Sequence, residues 1–182
     1  FINLENLKSS LIHPSKFPNQ KKSKDEYIYE FERLEFLGDR VLGLIIASLI
    51  YDQFENFNEG DLTKKFSFLV QGDFLYKIAL ELNLDEFLKY SKQKNTSTIN
   101  KSILSDSLES LIGAIYVDGG LQAAKKFIKL YWTPYLDLKK TIETDSKTKL
   151  QEISQKNFKI LPKYKLLTKT GPPHSPTFTI SL

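Results

Sequence analysis

Two short stretches of this sequence carry carboxylates at helical spacing. Glu32, Glu35 and Asp39 are three and four residues apart, which places them along one edge of an α-helix. Asp106 and Glu109 repeat this spacing in a second stretch. Like charges three or four residues apart destabilise an isolated helix. A fold that keeps two such edges usually needs the charge, and the usual need is to bind a divalent cation.

These carboxylates suit metal-assisted chemistry on phosphate esters. If the two helices pack on their acidic edges, four of the side chains can converge: Glu35, Asp39, Asp106 and Glu109. Carboxylates packed together without a counter-ion are costly, and some would take up protons instead. Mg²⁺ or Mn²⁺ would remove this cost, because hard cations prefer oxygen ligands and keep waters for chemistry. A metal-activated water that attacks phosphorus is the reaction that such a site suits.

Each acidic helix has an apolar stripe opposite its carboxylates, as expected of a helix that packs against a core. The stripes consist of Leu34, Leu37, Val41 and Ile45 in the first helix and of Leu104, Leu108, Leu111 and Ile115 in the second. Gly38 and Gly113, with Ser102, leave little bulk near the acidic edges. We expect these glycines to let the backbone of a substrate approach the carboxylates.

The composition excludes several other kinds of chemistry. The chain has 182 residues, 41% hydrophobic and 26% charged, which is enough for a buried core. It contains no cysteine, which excludes disulfides, zinc–thiolate sites and thiol nucleophiles. No P-loop or glycine-rich dinucleotide motif occurs, so we expect no nucleotide cofactor. The longest apolar stretch, residues 41–51, is too short to span a membrane, and we expect a cytoplasmic protein without membrane contact.

The first 144 residues have mostly helical patterns. Apolar periodicity predicts helices at residues 3–12, 30–53, 62–70, 74–82, 101–117 and 121–131. Asp61 is expected to be the N-cap of the helix that begins at residue 62. Gly119 and Gly120 are expected to end the second acidic helix, and Pro134 to break the helix after it.

The pattern changes after residue 144. A short helix at 148–155 precedes two alternating segments, 163–168 and 177–182, that are typical of strands. From Asp145 onward there are seven lysines and two acidic residues, whereas the part before it has nineteen basic and twenty acidic residues. A basic segment on a near-neutral body indicates an anionic polymer as partner, although solvated surface lysines give the same count.

Several motifs resemble those of bacterial ribonuclease III. Residues 32–39, Glu-Arg-Leu-Glu-Phe-Leu-Gly-Asp, resemble its signature, and residues 106–120 are similar to its second acidic helix. Residues 11–15 and 59–62 resemble the flanking segments of that family. Residues 149–174 resemble the first half of a double-stranded-RNA-binding domain. The resemblance covers nearly the whole chain.

The resemblance implies a mostly α fold in two domains. Residues 1–144 would form the all-helical ribonuclease III endonuclease domain. Residues 145–182 would form a truncated α+β double-stranded-RNA-binding domain, of which a helix and two strands are present. The third strand and the lysine-rich helix of that domain in the family have no counterpart in this sequence.

The resemblance also implies an activity. The chain would be a Mg²⁺-dependent endoribonuclease, with Mn²⁺ as a substitute, that cleaves double-stranded RNA to 5′-phosphate and 3′-hydroxyl ends. It would act as a homodimer with one catalytic cluster per subunit. Processing of ribosomal and messenger RNA precursors is the role that the resemblance suggests.

Carried over by position, the metal-binding catalytic set is Glu35, Asp39, Asp106 and Glu109. Glu109 is the residue expected to be most needed for the metal and least needed for binding RNA. Glu32 and Glu59 match acidic positions that assist cleavage in the family.

The resemblance places RNA-binding residues in the tail. They would be Thr148, Gln151, Glu152, Gln155 and, in the loop between the two strands, His174. Polar side chains suit the recognition of the shape and 2′-hydroxyl groups of A-form RNA, since they donate and accept hydrogen bonds. Without the resemblance, the same residues would be interpreted as a plain amphipathic surface.

Two positions depart from the family pattern. Arg40 stands where the family usually has a small residue, and it lies off the carboxylate edge, where a local ion pair is expected. Phe31 replaces a commonly polar residue.

Two alternatives to an active nuclease remain. An RNA-binding relative that has lost catalysis is disfavoured, because all four carboxylates are kept. A helical interaction module with incidental acidic faces would not explain the tail.

Overall fold

The computed structural model describes residues 1–17, 25–91, 99–136, 146–170 and 177–181, with the side chains of residues 25–26, 146–149 and 152 left out. The chain forms two compact units, Phe1–Thr141 and Ile142–Leu182.

The first unit is mostly helical in its described part, with one isolated β-bridge between Ile12 and Lys89. Its α-helices are α1 (Leu4–Ser10), α2 (Asp25–Gln53), α3 (Glu59–Val70), α4 (Gly72–Glu81), α5 (Leu84–Phe87) and α6 (Lys101–Leu136). A single 3₁₀ turn, Pro14–Lys16, follows α1. These helices confirm the predicted mostly α fold, while the short helix α5 was missed by the sequence analysis.

Helix α6 bends where the sequence has Gly119 and Gly120. Gly120 has φ 70° and ψ −173°, a conformation that residues with a side chain rarely adopt. The predicted break at this point is confirmed as a kink between two helical segments. The predicted break at Pro134 was wrong, because the helix continues to Leu136. A proline near a helix end removes one backbone hydrogen bond, which the last turns of a packed helix can tolerate.

The hydrophobic core lies between the long helices α2 and α6, with α4 packed on α6. The predicted apolar stripes face this core: Leu34, Val41, Ile45, Leu104 and Leu108 are buried, and Leu37, Leu111 and Ile115 are partly buried. Trp132 is fully buried in α6, and its indole N–H donates to the carbonyl oxygen of Leu69 at 2.9 Å. Across the described residues, no helix has the length and hydrophobicity needed to cross a membrane.

The N-terminus of α3 differs from the prediction. Asn58, not Asp61, is the N-cap: its side-chain oxygen accepts the backbone N–H of Asp61 at 3.0 Å. Asp61 instead lies in the first turn, where its negative charge favours the helix dipole. Asn58 and Asp61 are both good capping residues. An N-cap residue has a non-helical backbone, and Asn58 is the one of the two whose backbone is extended.

Helices α2 and α6 approach each other most closely at two glycines. A Cβ atom added to Gly38 would overlap the backbone carbonyl of Glu109, and one added to Gly113 would overlap the carbonyl of Leu34. The space beside these glycines is therefore filled by the backbone of the neighbouring helix. The expectation that they admit a substrate backbone was wrong, because they face the helix crossing.

The second unit contains α7 (Ser146–Phe158), β1 (Lys165–Thr170) and β2 (Thr177–Ser181). The two strands pair antiparallel, from Lys165 opposite Ser181 to Thr170 opposite Thr177, with an irregularity between Leu166 and Thr168. One helix and two strands confirm the predicted elements. The first strand lies two residues later than predicted, since its register follows from pairing with β2.

The glycine crossing leads to a prediction about stability. Gly113→Ala should lower the free energy of unfolding by about 1–3 kcal/mol, because the new methyl group forces the two helices apart. Gly43→Ala, on the same helix as Gly38, is the matched control. Its Cβ would lie 3.6 Å from the Phe66 ring, which is ordinary van der Waals contact, so a gain of up to about 1 kcal/mol is expected from helix propensity. Urea unfolding of both variants measures the difference, and equal stability of the two would contradict the crossing.

Candidate metal centre

Three of the predicted carboxylates meet where α2 and α6 cross. Glu35 on α2 and Asp106 and Glu109 on α6 each offer an oxygen atom, and these three atoms lie within 4.8 Å of one another. The glycine crossing explains the convergence, because Gly38 is one turn along α2 from Glu35 and contacts the backbone of Glu109. All three residues are partly buried.

The fourth predicted ligand, Asp39, is not a member of this group. Its carboxylate forms an ion pair with the guanidinium of Arg40, which lies over the ring of Phe36 at 5.3 Å from the ring centre. Asp39 nevertheless lines the same open cleft as Glu35 and Glu109. The local ion pair expected for Arg40 is present, and its partner is one of the predicted ligands.

The environment of Glu109 favours its protonated form. Burial raises the pKa of the Glu109 carboxyl to about 8, and the charges of Asp39, Glu35 and Asp106 add to the rise, while Arg40 opposes it. A carboxyl in this state holds a proton near neutral pH. A cation at the same place would stabilise its charged form instead.

Glu35 is affected in the same way. Burial is again the main cause, followed by repulsion from Asp106, Glu32 and Asp39, and the pKa of the Glu35 carboxyl rises to about 7. Two acidic side chains from different helices thus have pKa values near neutrality at one point of the surface. Such perturbed groups in a cleft are typical of functional sites.

Asp106 has two neighbours that favour its charged form. Burial raises the pKa of the Asp106 carboxyl, while a hydrogen bond from the Ser105 hydroxyl at 3.3 Å and the nearby His13 ring act in the opposite direction. Burial lowers the pKa of His13, and Asp106 partly offsets this. The imidazole is therefore an electrostatic neighbour of the acidic group.

No pattern in the sequence marks His13 as part of the site. Its Nδ1 accepts the backbone N–H of Ser15 at 3.1 Å, and its ring packs edge-on against Phe31 at 5.2 Å. Phe31 is fully buried, and its carbonyl oxygen accepts the Ser110 hydroxyl at 3.3 Å. Phe31, noted as a departure from the family pattern, thus joins the 3₁₀ turn, α2 and α6 beside the carboxylates. Only the fold reveals this, since His13 and Asp106 are far apart in sequence.

The donor set fits a hard divalent cation. The group formed by the described residues contains carboxylate oxygens alone, which Mg²⁺ and Mn²⁺ accept readily. Burial, followed by repulsion between the carboxylates, raises the pKa of Glu35 to about 7 and that of Glu109 to about 8, which disfavours their charged forms unless a positive charge lies nearby. A cation bound by Glu35, Asp106 and Glu109 would supply that charge.

The two supporting acidic residues differ in position. Glu32 is exposed and lines the cleft together with Glu35, Phe36, Asp39 and Glu109. Glu59 is exposed at the first position of α3, where its carboxylate accepts the Thr63 hydroxyl at 3.1 Å. It belongs neither to the three-carboxylate group nor to the lining of the cleft.

The predicted RNA-binding residues of the tail are described in part. Gln151 is half-buried and Gln155 is exposed on α7, and their spacing of four places them on one face of the helix. The side chains of Thr148 and Glu152 and the whole of His174 lie outside the described residues.

Comparison with known proteins identifies the family. Residues 4–136 match a family model described as Ribonuclease-III-like. The chain is 42% identical to Ribonuclease 3 of Wolbachia sp. subsp. Drosophila simulans (strain wRi), over 100% of this chain and 78% of the relative. It is 43% identical to Ribonuclease 3 of Anaplasma phagocytophilum (strain HZ), over 100% of this chain and 75% of the relative.

Solved structures agree with these matches. The nuclease domain of ribonuclease III from Campylobacter jejuni superimposes with a TM-score of 0.63 at 38% identity, covering 74% of this chain and 90% of that domain. Dicer from Pichia stipitis superimposes with a TM-score of 0.57 at 26% identity, covering 100% of this chain and 82% of the Dicer chain. Because the family model matches well over half of the chain and both curated relatives cover all of it, the chain belongs to the ribonuclease III family of endoribonucleases.

Proposed function

We propose that the protein is a Mg²⁺-dependent endoribonuclease that hydrolyses double-stranded RNA to 5′-phosphate and 3′-hydroxyl ends. The observation that carries this proposal is the meeting of Glu35, Asp106 and Glu109 at the crossing of two helices. Three carboxylates with oxygens within 4.8 Å are costly for a fold to keep. Membership of an endoribonuclease family would explain why the fold keeps these carboxylates together, since they would serve catalysis.

Glu35, Asp106 and Glu109 would hold the ion, and Asp39 would join them from the rim of the cleft. When bound, Mg²⁺ offsets negative charge on a phosphodiester and makes water more acidic. Glu35 and Glu109 would give up the protons that their raised pKa values retain near neutral pH, and would present charged oxygens. Glu32 and Phe36 line the open side of the cleft, where a phosphate group would enter.

We propose that the second unit binds the RNA duplex. Its basic excess supplies a salt-dependent attraction for phosphates. Gln151 and Gln155 share one face of α7 and can exchange hydrogen bonds with 2′-hydroxyl groups, and Thr148, Glu152 and His174 would take part as well. Ribosomal and messenger RNA precursors in the cytoplasm are the proposed physiological substrates. Mn²⁺ is the proposed substitute for Mg²⁺.

We also propose that the protein acts as a homodimer. A depression beside the acidic cleft has both apolar and charged lining residues: Tyr29, Leu34, Phe36, Leu37 and Val117, together with Glu30, Glu32 and Arg33. Phe36 is 65% exposed and Val117 is 52% exposed, which is unusual for large apolar side chains on one patch. An exposed apolar patch that surrounds a depression suits a two-fold interface, in which the same patch of each subunit meets its copy. The Campylobacter jejuni nuclease domain has a flexible region involved in dimer formation.

Removal of one ligand tests the metal-dependent activity. Glu109→Gln should reduce cleavage of a long RNA duplex in Mg²⁺ by more than about 100-fold, because an amide cannot replace a charged ligand. Binding of the same duplex should remain nearly unchanged, since Glu109 is not expected to hold RNA. Gel assays of cleavage and of binding give the two readouts.

The matched control for this experiment is Glu55→Gln, which alters an exposed glutamate outside the acidic group and should cleave normally. The matching DNA duplex should remain intact with the unaltered protein, because it lacks the 2′-hydroxyl. Undiminished cleavage by Glu109→Gln would contradict the assignment of the metal centre.

The raised pKa values predict a dependence of stability on pH and metal. The carboxyl pKa values rise from 4.5 to about 7 for Glu35 and about 8 for Glu109 on folding, so the folded state binds these protons more tightly. Stability of the metal-free protein should therefore fall as pH rises from about 4.5 to about 8. Mg²⁺ should restore it at the upper end, because it binds only the deprotonated folded state.

Thermal unfolding across this pH range, with EDTA and then with Mg²⁺, measures the effect. Glu109→Gln removes one of the two groups, so the fall with pH should be smaller and the gain from Mg²⁺ should be lost. Identical pH profiles for Glu109→Gln and the unaltered protein would show that Glu109 is not the titrating group.

The proposed dimer surface predicts the effect of a charge. Val117→Lys should shift the protein towards monomer at micromolar concentration, because the interface would bury an unpaired charge. Leu130→Lys changes another exposed apolar residue of α6 that does not line the depression, and it should leave the dimer intact. Sedimentation velocity gives the distribution. A wild-type protein that stays monomeric at this concentration would rule out the dimer.

A further inference from the structure

Arg40 is held at the rim of the acidic cleft by two contacts. Its guanidinium pairs with the carboxylate of Asp39 and lies over the ring of Phe36, 5.3 Å from the ring centre. Residues one apart on a helix do not face each other, whereas residues four apart do. The Phe36 ring, four residues before Arg40, therefore fixes where the guanidinium lies, and Asp39 turns towards it.

This contact has a direct consequence for the metal centre. Asp39 lines the same cleft as Glu35 and Glu109, but its carboxylate faces Arg40 and stays outside the three-carboxylate group. The positive charge of Arg40 also reaches Glu109, where it opposes the rise in pKa that burial causes. The rim of the cleft thus already has one positive charge, that of Arg40.

The nature of this cation makes the arrangement persistent. A guanidinium keeps its charge at every pH at which the protein is folded, and its planar fork suits a carboxylate well. Another cation that binds Asp39 would therefore have to displace Arg40 at every pH.

We propose that Arg40 is a positioning residue that competes with the divalent cation for Asp39. In the metal-free protein Arg40 is the counter-ion of Asp39, and the incoming ion must displace it before Asp39 becomes a ligand. Binding of the cation is therefore weaker than the four carboxylates would allow. This inference rests on the proposed function, because it concerns the affinity of the same metal centre.

The size of the effect follows from the exposure of the pair. The Arg40 side chain is 67% exposed and that of Asp39 is 42% exposed. Ion pairs this close to water are weak, so removal of Arg40 should tighten metal binding by about two- to fivefold. This gain in Mg²⁺ affinity should occur only when residue 39 is a carboxylate that can bind the ion once Arg40 is removed.

Isothermal titration of Mg²⁺ into the metal-free full chain tests the inference through affinity, not activity. The proteins compared are the unaltered chain, Arg40→Ala, Asp39→Asn and the double variant. Lys101→Ala is the matched control for loss of one positive charge. Lys101 pairs with Asp73 at 2.7 Å and lies over the Tyr76 ring at 5.7 Å, so it has the same kinds of partner elsewhere on the surface. Circular dichroism confirms that each variant is folded.

Arg40→Ala should bind Mg²⁺ about two- to fivefold more tightly than the unaltered chain, and Lys101→Ala should bind it equally well. In the Asp39→Asn background, Arg40→Ala should give no gain, because no carboxylate remains to be released. An equal gain in both backgrounds would overturn the inference, since Arg40 would then act only through its long-range charge.

Two further outcomes separate this inference from the proposed function. In the first, the unaltered chain binds Mg²⁺, Glu109→Gln does not, and Arg40→Ala binds Mg²⁺ with unchanged affinity. This result overturns the role of Arg40 and leaves the metal centre in place. Absence of any Glu109-dependent binding of Mg²⁺ overturns the metal centre itself, and the role of Arg40 with it.

Discussion

The close crossing of α2 and α6 at Gly38 and Gly113 is the contact on which the candidate site depends. At both glycines the backbone of one helix fills the space that a side chain of the other would need. Glu35 and Glu109 are neighbours of this contact, and their carboxylates meet because the helix axes approach so closely there. A wider crossing would separate the acidic edges. Backbone packing thus determines the chemistry that the surface can perform.

The convergence of carboxylates has an energetic cost that the rest of the unit must offset. Burial and mutual repulsion raise the pKa values of Glu35 and Glu109, so that their protonated forms are favoured when no cation is bound. The core beneath it, with Leu108 and Trp132 fully buried, supplies the stability that tolerates this. Arg40 supplies positive charge at the rim. In the function proposed here, protons, Arg40 and the divalent cation are alternative counter-charges for one acidic cluster.

Much of the fold could be predicted because it follows from local rules. Helical periodicity identified both acidic edges and the apolar stripes opposite them, since side-chain direction along a helix depends only on spacing. The two glycines at 119 and 120 indicated the bend in α6, because Gly120 adopts a backbone conformation that disfavours side chains. The N-cap of α3 was predicted at Asp61, three residues after its actual position at Asn58. Both residue types are suitable caps, and only the surrounding structure selects one of them. Long-range contacts decide such cases.

The sequence by itself determined the ingredients of the site: which carboxylates share a helix edge, which face is apolar, and which family the motifs resemble. Tertiary structure decided how these ingredients combine. It brought Glu35 to Asp106 and Glu109, left Asp39 with Arg40, and placed His13 beside the cluster from a distant part of the chain. The physical reason is that the distance between two helices depends on the packing of their backbones and side chains. Periodicity specifies directions around one helix axis, and the distance from that axis to its neighbour is a property of the folded unit.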